Sequence, residues 1–276
     1  NSSDNEGILK IMMKEKVRVI PVIDSNKRVK KVISFEDLTN LAPVVLPVLI
    51  MAGGRGERLK PITDRIPKPL IKVGSQSLIE RIIKGLRDVD IKEIFIAVHY
   101  QKQSFIDTLA FGESLDIRIR YIEEESPMGT AGAITLIPNF QTIENLLVTN
   151  ADLIHNIDYR KLFRFHLDSA SDLTIASTLF PSEIPFGVLK FDEDKFIGII
   201  EKPSLKFPIM CGVNIISRSV LEKLEPHTQL SMVEVIEIAL DLNLKVNVFN
   251  IDSNWIDVGD HKTLAQMKSY LSSQDN

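Results

Sequence analysis

Three glycines stand directly behind a short apolar run in Val48-Leu49-Ile50-Met51-Ala52-Gly53-Gly54-Arg55-Gly56-Glu57-Arg58-Leu59. Glycines placed there let the backbone N–H groups of Ala52, Gly53 and Gly54 come close to phosphate oxygens. The run is not a Walker A loop, because no Gly-Lys-Ser/Thr follows. As a dinucleotide fingerprint read from Gly54 it fails too, since Leu59 stands where the third glycine belongs. Taken alone, the cluster would serve equally well as a tight surface turn. The residues that follow narrow the choice. Lys60-Pro61-Ile62-Thr63 and Ile66-Pro67-Lys68-Pro69-Leu70 predict a stiff, extended loop, because each proline restricts itself and the residue before it. Two cations, Arg58 and Lys68, ride on that loop beside the phosphate cradle.

Carboxylates that could answer those cations come from two distant places. Val148-Thr149-Asn150-Ala151-Asp152 puts Asp152 just past a predicted strand's C-terminal end, where open α/β sheets bind ligands. Trp255-Ile256-Asp257-Val258-Gly259 supplies Asp257. Two acidic side chains together with phosphate oxygens suit Mg²⁺, which keeps several waters and takes few protein ligands. Asp152 as a turn residue and Asp257 as a helix-approach cap are the simpler structural alternatives. The five histidines (99, 155, 166, 227 and 261) show no metal-ligand spacing, and His166 is expected to sit on a helix with Leu162 and Phe163. The single cysteine, Cys211, lies in a predicted strand and is read as core packing.

The elements that position these residues alternate from Pro47 onward. Val48 to Met51 and Glu93 to Val98 are predicted strands, and Leu146 to Thr149 another; Leu78, Ile79, Ile82, Ile83 and Leu86 recur at helical spacing. Phe105 to Leu109 belongs to a further helix, and Ile117, Ile119 and Tyr121 alternate with arginines on a strand with one wet face. This β-α-β-α order predicts an α/β fold: a mostly parallel, doubly wound (Rossmann-like) sheet covered by helices. Past Asp172 strands cluster, at Leu173 to Leu179, Gly187 to Phe191, Phe196 to Glu201 and Gly212 to Ile216. They predict an added antiparallel part, with Asp192-Glu193-Asp194-Lys195 as a hairpin turn. A helix near Met232 to Leu242, a strand near Lys245 to Ile251 and a helix near His261 to Leu271 complete the pattern, and no hexapeptide repeats follow.

Residues 1–43 stand apart from the main domain at 47–276. Val17 to Asp24, a turn at Ser25-Asn26-Lys27, a second strand from Val29 to Ser34 and the acidic helix start Phe35-Glu36-Asp37-Leu38 resemble the closing part of a cystathionine-beta-synthase (CBS) motif. Only one partial motif is present, where paired motifs build the nucleotide cleft, so a plain β-hairpin appendage is the competing reading.

Composition bounds the rest. The 276 residues are 44% hydrophobic and 25% charged, which is ordinary for a globular chain able to bury a core without disulfides. One cysteine fits a reducing compartment. A net charge of −4 supplies no basic field for nucleic acid. The longest apolar run, near Val44 to Ala52, contains Pro47 and is too short to span a membrane. No basic-then-apolar leader is visible, and the first residue, Asn1, suggests a trimmed start. The expectation is a cytoplasmic protein without nucleic-acid or membrane partners, compatible with a homo-oligomer.

Together, Gly53-Gly54-Arg55-Gly56-Glu57-Arg58-Leu59-Lys60-Pro61-Ile62-Thr63 and Pro67-Lys68-Pro69 resemble the signature of the sugar-1-phosphate nucleotidyltransferases, above all the mannose-1-phosphate guanylyltransferase-like members. The resemblance runs from about Pro47 to Leu271. It implies that Arg58 grips the triphosphate and stabilises the leaving pyrophosphate, that Lys68 contacts the reacting phosphate, and that Asp152 and Asp257 hold the metal. Glu201-Lys202-Pro203 resembles the family's sugar-side motif, with Glu201 receiving sugar hydroxyls and Lys202 neutralising the sugar phosphate. In Phe186-Gly187-Val188, Gly187 lets backbone groups meet the sugar. Met210-Cys211-Gly212 departs from the Asn-Ala-Gly common in relatives, keeping Gly212 and losing the asparagine contact.

The implied reaction joins a nucleoside triphosphate to a sugar 1-phosphate, giving an NDP-sugar and pyrophosphate. A non-catalytic nucleotide or NDP-sugar sensor on the same fold is the competing function, although such a protein would be expected to lose Arg58, Lys68 or an aspartate. Gly129-Thr130-Ala131-Gly132 resembles the family's base-binding loop. Counting back from Gly129, Glu124 falls where uridylyl- and thymidylyl-transferring relatives carry glutamine. An ionised carboxylate only accepts hydrogen bonds, which suits the paired N–H donors of guanine and predicts GTP over UTP, dTTP or CTP. Glu123 to Glu125 as solvated surface acids are the alternative.

Overall fold

A computed structural model describes residues 7–8, 11–12, 14–15, 17–24, 27–34, 46–251 and 255–272. The chain divides into two compact units, Asn1–Val45 and Leu46–Asn276. In the first unit, strands β1 (Val19–Ile23) and β2 (Val29–Ser34) form an antiparallel hairpin in the register Val19 to Ser34, with an irregularity at Val22/Ile23. Asp24 closes the turn by accepting the Arg28 N–H at 2.9 Å. The expected helix start at 35–38 lies outside the described residues.

The second unit begins with β3 (Val48–Met51), whose Val-Leu-Ile run is buried on both faces as a central parallel strand requires. A small ladder of β4 (Lys72–Val73) and β5 (Gln76–Ser77) leads into α1 (Leu78–Arg87). There Ser77 and Glu80 form a reciprocal capping box, and Leu78, Ile79, Ile82, Ile83 and Leu86 are buried at the spacing read from the sequence. Next come β6 (Glu93–Val98), α2 (Lys102–Leu109), β7 (Arg118–Glu123), β8 (Asn145–Asn150), β9 (Leu153–His155) and α3 (Tyr159–Asp168). The later part holds β10 (Leu173–Glu183), β11 (Val188–Asp192), β12 (Lys195–Ile200) and β13 (Ser204–Ser217). It closes with α4 (Arg218–Leu221), α5 (Met232–Asp241), β14 (Val246–Asn250), β15 (Trp255–Asp257) and α6 (His261–Ser272).

Seven strands form the main sheet in the order β14-β10-β13-β8-β3-β6-β7. β3 runs parallel to β6 and β8, β6 parallel to β7, and β10 parallel to β14, so β13 alone is reversed. The chain moves outward from β3 through β6 to β7 and then returns to β8 on the other side of β3. That reversal opens a crevice beyond the C-terminal ends of β3 and β8, the place where open α/β sheets take ligands. The core packs α5 and the segment 131–140 against Leu49, Val148 and Ile216 of the sheet. A second cluster ties Leu59 of the glycine loop to Leu78, Val258, Leu264 and Met267. No helix among the described residues is long and apolar enough to cross a membrane.

Two features differ from the sequence reading. β13 begins at Ser204, eight residues before the predicted strand, and pairs with β10 out to Glu183. Pro203, just before the strand, and Pro208 masked it; Pro208 lies where β13 has β10 as its sole neighbour, the edge setting in which proline is tolerated. The proline-bracketed loop is also not extended. It folds into three successive 3₁₀ turns at Glu57–Leu59, Ile62–Asp64 and Lys68–Leu70. Proline fits the first positions of such a turn, where its missing N–H is not needed.

His166 is buried and hydrogen-bonded at both ring nitrogens, to Thr174 at 2.8 Å and to Asn145 and Ser217 at 2.9 Å. Burial pushes it down to about 4, and His155 likewise to about 4. The native state therefore holds these rings neutral, while the unfolded chain binds protons below about pH 6.5. Stability is expected to be full above pH 6.5 and to fall toward pH 4, by on the order of 1–3 kcal/mol per ring. Urea unfolding at pH 7 and pH 5 checks this. The loss should be smaller in His166→Gln, and an equal loss in both proteins would contradict it.

Candidate active site

The crevice at the switch point is a cavity of about 550 Å³. Its lining brings together Ala52, Gly53, Gly54, Arg58, Lys68, Glu124, Gly129, Thr130 and Asp152, nine residues singled out from the sequence. Backbone bonds carry the sheet register into this wall: Ala52 N–H donates to Ala97 O, Ala151 N–H to Met51 O, and Glu124 N–H to Val98 O. A larger cavity of about 660 Å³ lies between α1 and β9 and contains none of the expected site residues. The switch-point cavity is the one that gathers the expected residues.

The glycine loop is locked from within. Gly56 has φ +62°, and a Cβ there would meet Thr63 Cγ2 at 2.9 Å; the Thr63 hydroxyl donates to Gly56 O at 2.9 Å. This closure, with buried Leu59, fixes the segment that carries Arg58 and Lys68. Lys68 is buried, and its ammonium sits 2.5 Å from Asp152 Oδ2 and 3.5 Å from Asp257 Oδ1. Antiparallel pairing of β15 with β9, Asp257 opposite Leu153, brings the second aspartate in, supported by Val258 N–H donating to Asp152 O at 3.2 Å. The Trp255 indole anchors the same strand to Cys211 O at 3.0 Å. Cys211 itself is buried, and burial pushes its thiol up to about 12, which suits packing and not nucleophilic chemistry.

Two carboxylates facing one cation test the fit of a metal. The Lys68 ammonium stands as a cation between them, and both aspartates keep some solvent exposure, so a hard, partly hydrated ion finds suitable oxygen donors here. Among the described residues no group of three or more His, Cys, Asp or Glu gathers in a metal-binding arrangement. A metal at this place would therefore draw its remaining ligands from phosphate and water.

Glu124 is 5% exposed, so it is not a solvated surface acid. Its Oε2 accepts the Met128 N–H at 3.1 Å, and its Oε1 lies where a Cβ on Gly53 would collide at 2.7 Å. Burial raises its pKa, opposed by the Met128 hydrogen bond and by His99, whose ring contacts Glu124 O at 2.7 Å. The loop after it is stitched to the entry of α5: Ala131 and Gly132 N–H both donate to Leu230 O, and Thr130 Oγ1 accepts the Met232 N–H at 2.8 Å. Thr130 thus caps a helix as well as lining the cavity. Gly129 has φ +82°, and a Cβ would strike Leu230 O at 2.5 Å.

The residues expected on the sugar side lie apart from this wall. Gly187, Glu201, Lys202 and Gly212 do not line the cavity. Gly187 and Glu201 meet at the base of the β11–β12 hairpin, where a Cβ on Gly187 would lie 3.2 Å from Glu201 Oε2. Lys202 is exposed at φ +42°. Gly212, φ +69°, packs against the Asn150 side chain, and Asn150 does line the cavity. Sequence reasoning missed Asn150, Met128 and Gly259. Gly259 packs on the Arg58 guanidinium, 3.2 Å from a Cβ position to Nη1, and its adjacency to Asp257 was the available signal.

A family model described as nucleotidyl transferase matches residues 47–274. The chain belongs to that family. It is 30% identical over 232 residues to the mannose-1-phosphate guanylyltransferase catalytic subunit beta of Drosophila pseudoobscura pseudoobscura, covering 82% of this chain and 62% of that protein. The protein of the same name from Dictyostelium discoideum is 29% identical over 235 residues, covering 83% and 65%. The chain thus spans less than two thirds of the length of these relatives. In structure it is similar to HddC from Yersinia pseudotuberculosis, with TM-score 0.65, 25% identity and coverage of 82% of this chain and all of that one.

Proposed function

We propose that the chain catalyses guanylyl transfer from GTP to a sugar 1-phosphate, with residues 47–276 as the catalytic part. The observation that carries this reading is Lys68, held between Asp152 and Asp257 in a cavity whose other walls are the glycine loop and Glu124. Mannose 1-phosphate is the acceptor named for the relatives at about 30% identity, and it is the first acceptor to try.

In the proposed reaction a phosphate oxygen of the sugar 1-phosphate attacks the α-phosphorus in line. The bond from that phosphorus to the β-phosphate's bridging oxygen breaks, and pyrophosphate leaves with the electron pair. Positioning and charge neutralisation carry the rate, and no general base is needed because the phosphate monoester is already largely ionised at pH 7. Mg²⁺ on Asp152 and Asp257 would supply Lewis-acid neutralisation of the phosphates. Lys68 offsets charge at the α-phosphate, and Arg58 offsets charge growing on the departing pyrophosphate. Backbone N–H groups of Ala52, Gly53 and Gly54 cradle the triphosphate. Lys202 neutralises the incoming sugar phosphate, Glu201 receives sugar hydroxyls, and Gly187 and Gly212 leave room for the sugar against the backbone.

Glu124 reads the base. Met128 N–H uses only one of the lone pairs on its carboxylate, which leaves acceptor capacity on both oxygens for guanine N1–H and the N2 amino group. Turnover measured with GTP, UTP, dTTP, CTP and ATP is expected to favour GTP by about tenfold or more, the worth of one discriminating hydrogen bond. Glu124→Gln should narrow that margin. A preference for UTP or dTTP, or a Glu124→Gln protein that uses GTP as well as its parent, would remove the guanine assignment.

A further inference from the structure

Arg58 has no polar tether: among the described residues, no hydrogen bond or ion pair holds its guanidinium. A long, rotamer-rich side chain left to itself samples many directions. A cation that must meet charge as it develops on a leaving group needs one fixed direction.

The junction of β15 and α6 supplies that direction from three sides. On one side of Arg58 in sequence, Leu59 is fully buried in a cluster with Val258 of the junction and Leu264 and Met267 of α6. On the other, the Lys60 carbonyl lies 2.8 Å from His261 Nε2. A carbonyl only accepts, so Nε2 carries the proton and donates. Gly259 covers the third side, where a Cβ would come within 3.2 Å of Arg58 Nη1.

Asp260 holds the junction itself in shape. Its carboxylate accepts the Thr263 N–H at 2.8 Å and its carbonyl the Leu264 N–H at 3.0 Å, so it caps α6 with His261 as the first helical residue. Hydrogen bonds from Thr263 hold the Asp260 carboxyl below the usual range, and the positive charge of Arg58 lowers it further. The electrostatics and the packing thus agree that the guanidinium lies against this junction. The same segment begins at Asp257, 3.5 Å from the Lys68 ammonium, so residues 257–261 reach both cations of the site.

We infer that the β15–α6 junction aims Arg58, and that His261 is a positioning residue, fixing through the Lys60 carbonyl the turn that carries the guanidinium. The inference rests on the role given to Arg58 above. His261 touches neither the cavity lining nor any reacting group; it acts through the backbone of the glycine loop. Its ring is exposed, so its replacement leaves no hole in the core.

The test uses the full chain with GTP and mannose 1-phosphate. His261→Ala is expected to lower kcat by about tenfold or more, because small misplacements of a catalytic group are costly, with nucleotide binding nearly unchanged. His261→Gln, whose amide can donate from the place of Nε2, should restore most of the loss. Gln266→Gly loosens α6 without touching Lys60 and should leave kcat at the parental value. In an Arg58→Ala background His261→Ala should cost little more. Hydrogen exchange without substrates gives a second readout. The Leu59 and Lys60 amides, which bond Gly56 O and Glu57 O, should exchange about fivefold faster in His261→Ala, the worth of one neutral hydrogen bond. Parental kcat or parental exchange in His261→Ala would overturn the inference, as would losses that add in the double variant or a Gln266→Gly protein with the same defect. Those results leave the role of Arg58 standing, whereas a parental kcat in Arg58→Ala would remove that role and the inference with it.

Discussion

Asp152→Asn and Asp257→Asn are each expected to lower turnover by about 10³-fold or more without unfolding the protein. Both carboxylates converge on the Lys68 ammonium, at 2.5 Å and 3.5 Å, from the turn between β8 and β9 and from β15, which the sheet and the β9–β15 ladder hold in place. An amide keeps the size of the side chain and removes its charge. A weakened metal site costs several kcal/mol of transition-state stabilisation, and each 1.36 kcal/mol is about tenfold in rate. Folding should be spared, because neither side chain is buried and Lys68 retains one carboxylate in either variant. Turnover across a Mg²⁺ titration, paired with a thermal melt, checks both halves. Near-normal turnover at low Mg²⁺ in either variant would show that these aspartates do not hold the ion.

Arg58→Ala is expected to lower kcat by about 10²–10³-fold and to weaken nucleotide binding much less. Its proposed partner gains charge only as the bond to pyrophosphate breaks, so the interaction strengthens in the transition state. Gly259 makes the prediction more specific. A side chain there would meet the guanidinium at 3.2 Å and push it off its place, so Gly259→Val should reproduce the kcat loss with Arg58 still present. Lys202→Ala should instead chiefly raise KM for the sugar phosphate. Steady-state kinetics with separately measured nucleotide binding distinguish the two phenotypes. If Arg58→Ala changed only binding, or Lys202→Ala only kcat, the two roles would be reversed.

Much of this was legible in the residues. Strand–helix alternation from Pro47 to Asp172 gave the parallel half of the sheet, because buried parallel strands are short apolar runs and α1 announces itself by spacing and by the Ser77–Glu80 cap. The glycine loop could be located but not shaped: its prolines read as extension, whereas they open 3₁₀ turns that bury Lys68. Long-range pairing was the harder part. Nothing local in Trp255-Ile256-Asp257 says that it pairs with β9, and that pairing is what sets Asp257 beside Lys68. Glu124 was singled out by counting back from Gly129, but its burial against Gly53 could not be read from the count. The outer half of β13 was lost behind Pro203 and Pro208, and with it the length of its pairing with β10.

The central claim is transfer of the nucleotidyl group itself. GTP labelled at the α-phosphate, incubated with mannose 1-phosphate, Mg²⁺ and the full chain, should yield a labelled nucleotide-sugar and one pyrophosphate per label transferred. Both products should depend on the sugar phosphate and vanish in Lys68→Ala. Label that stays in GTP, or that leaves as free GMP whether or not a sugar phosphate is present, would contradict the account.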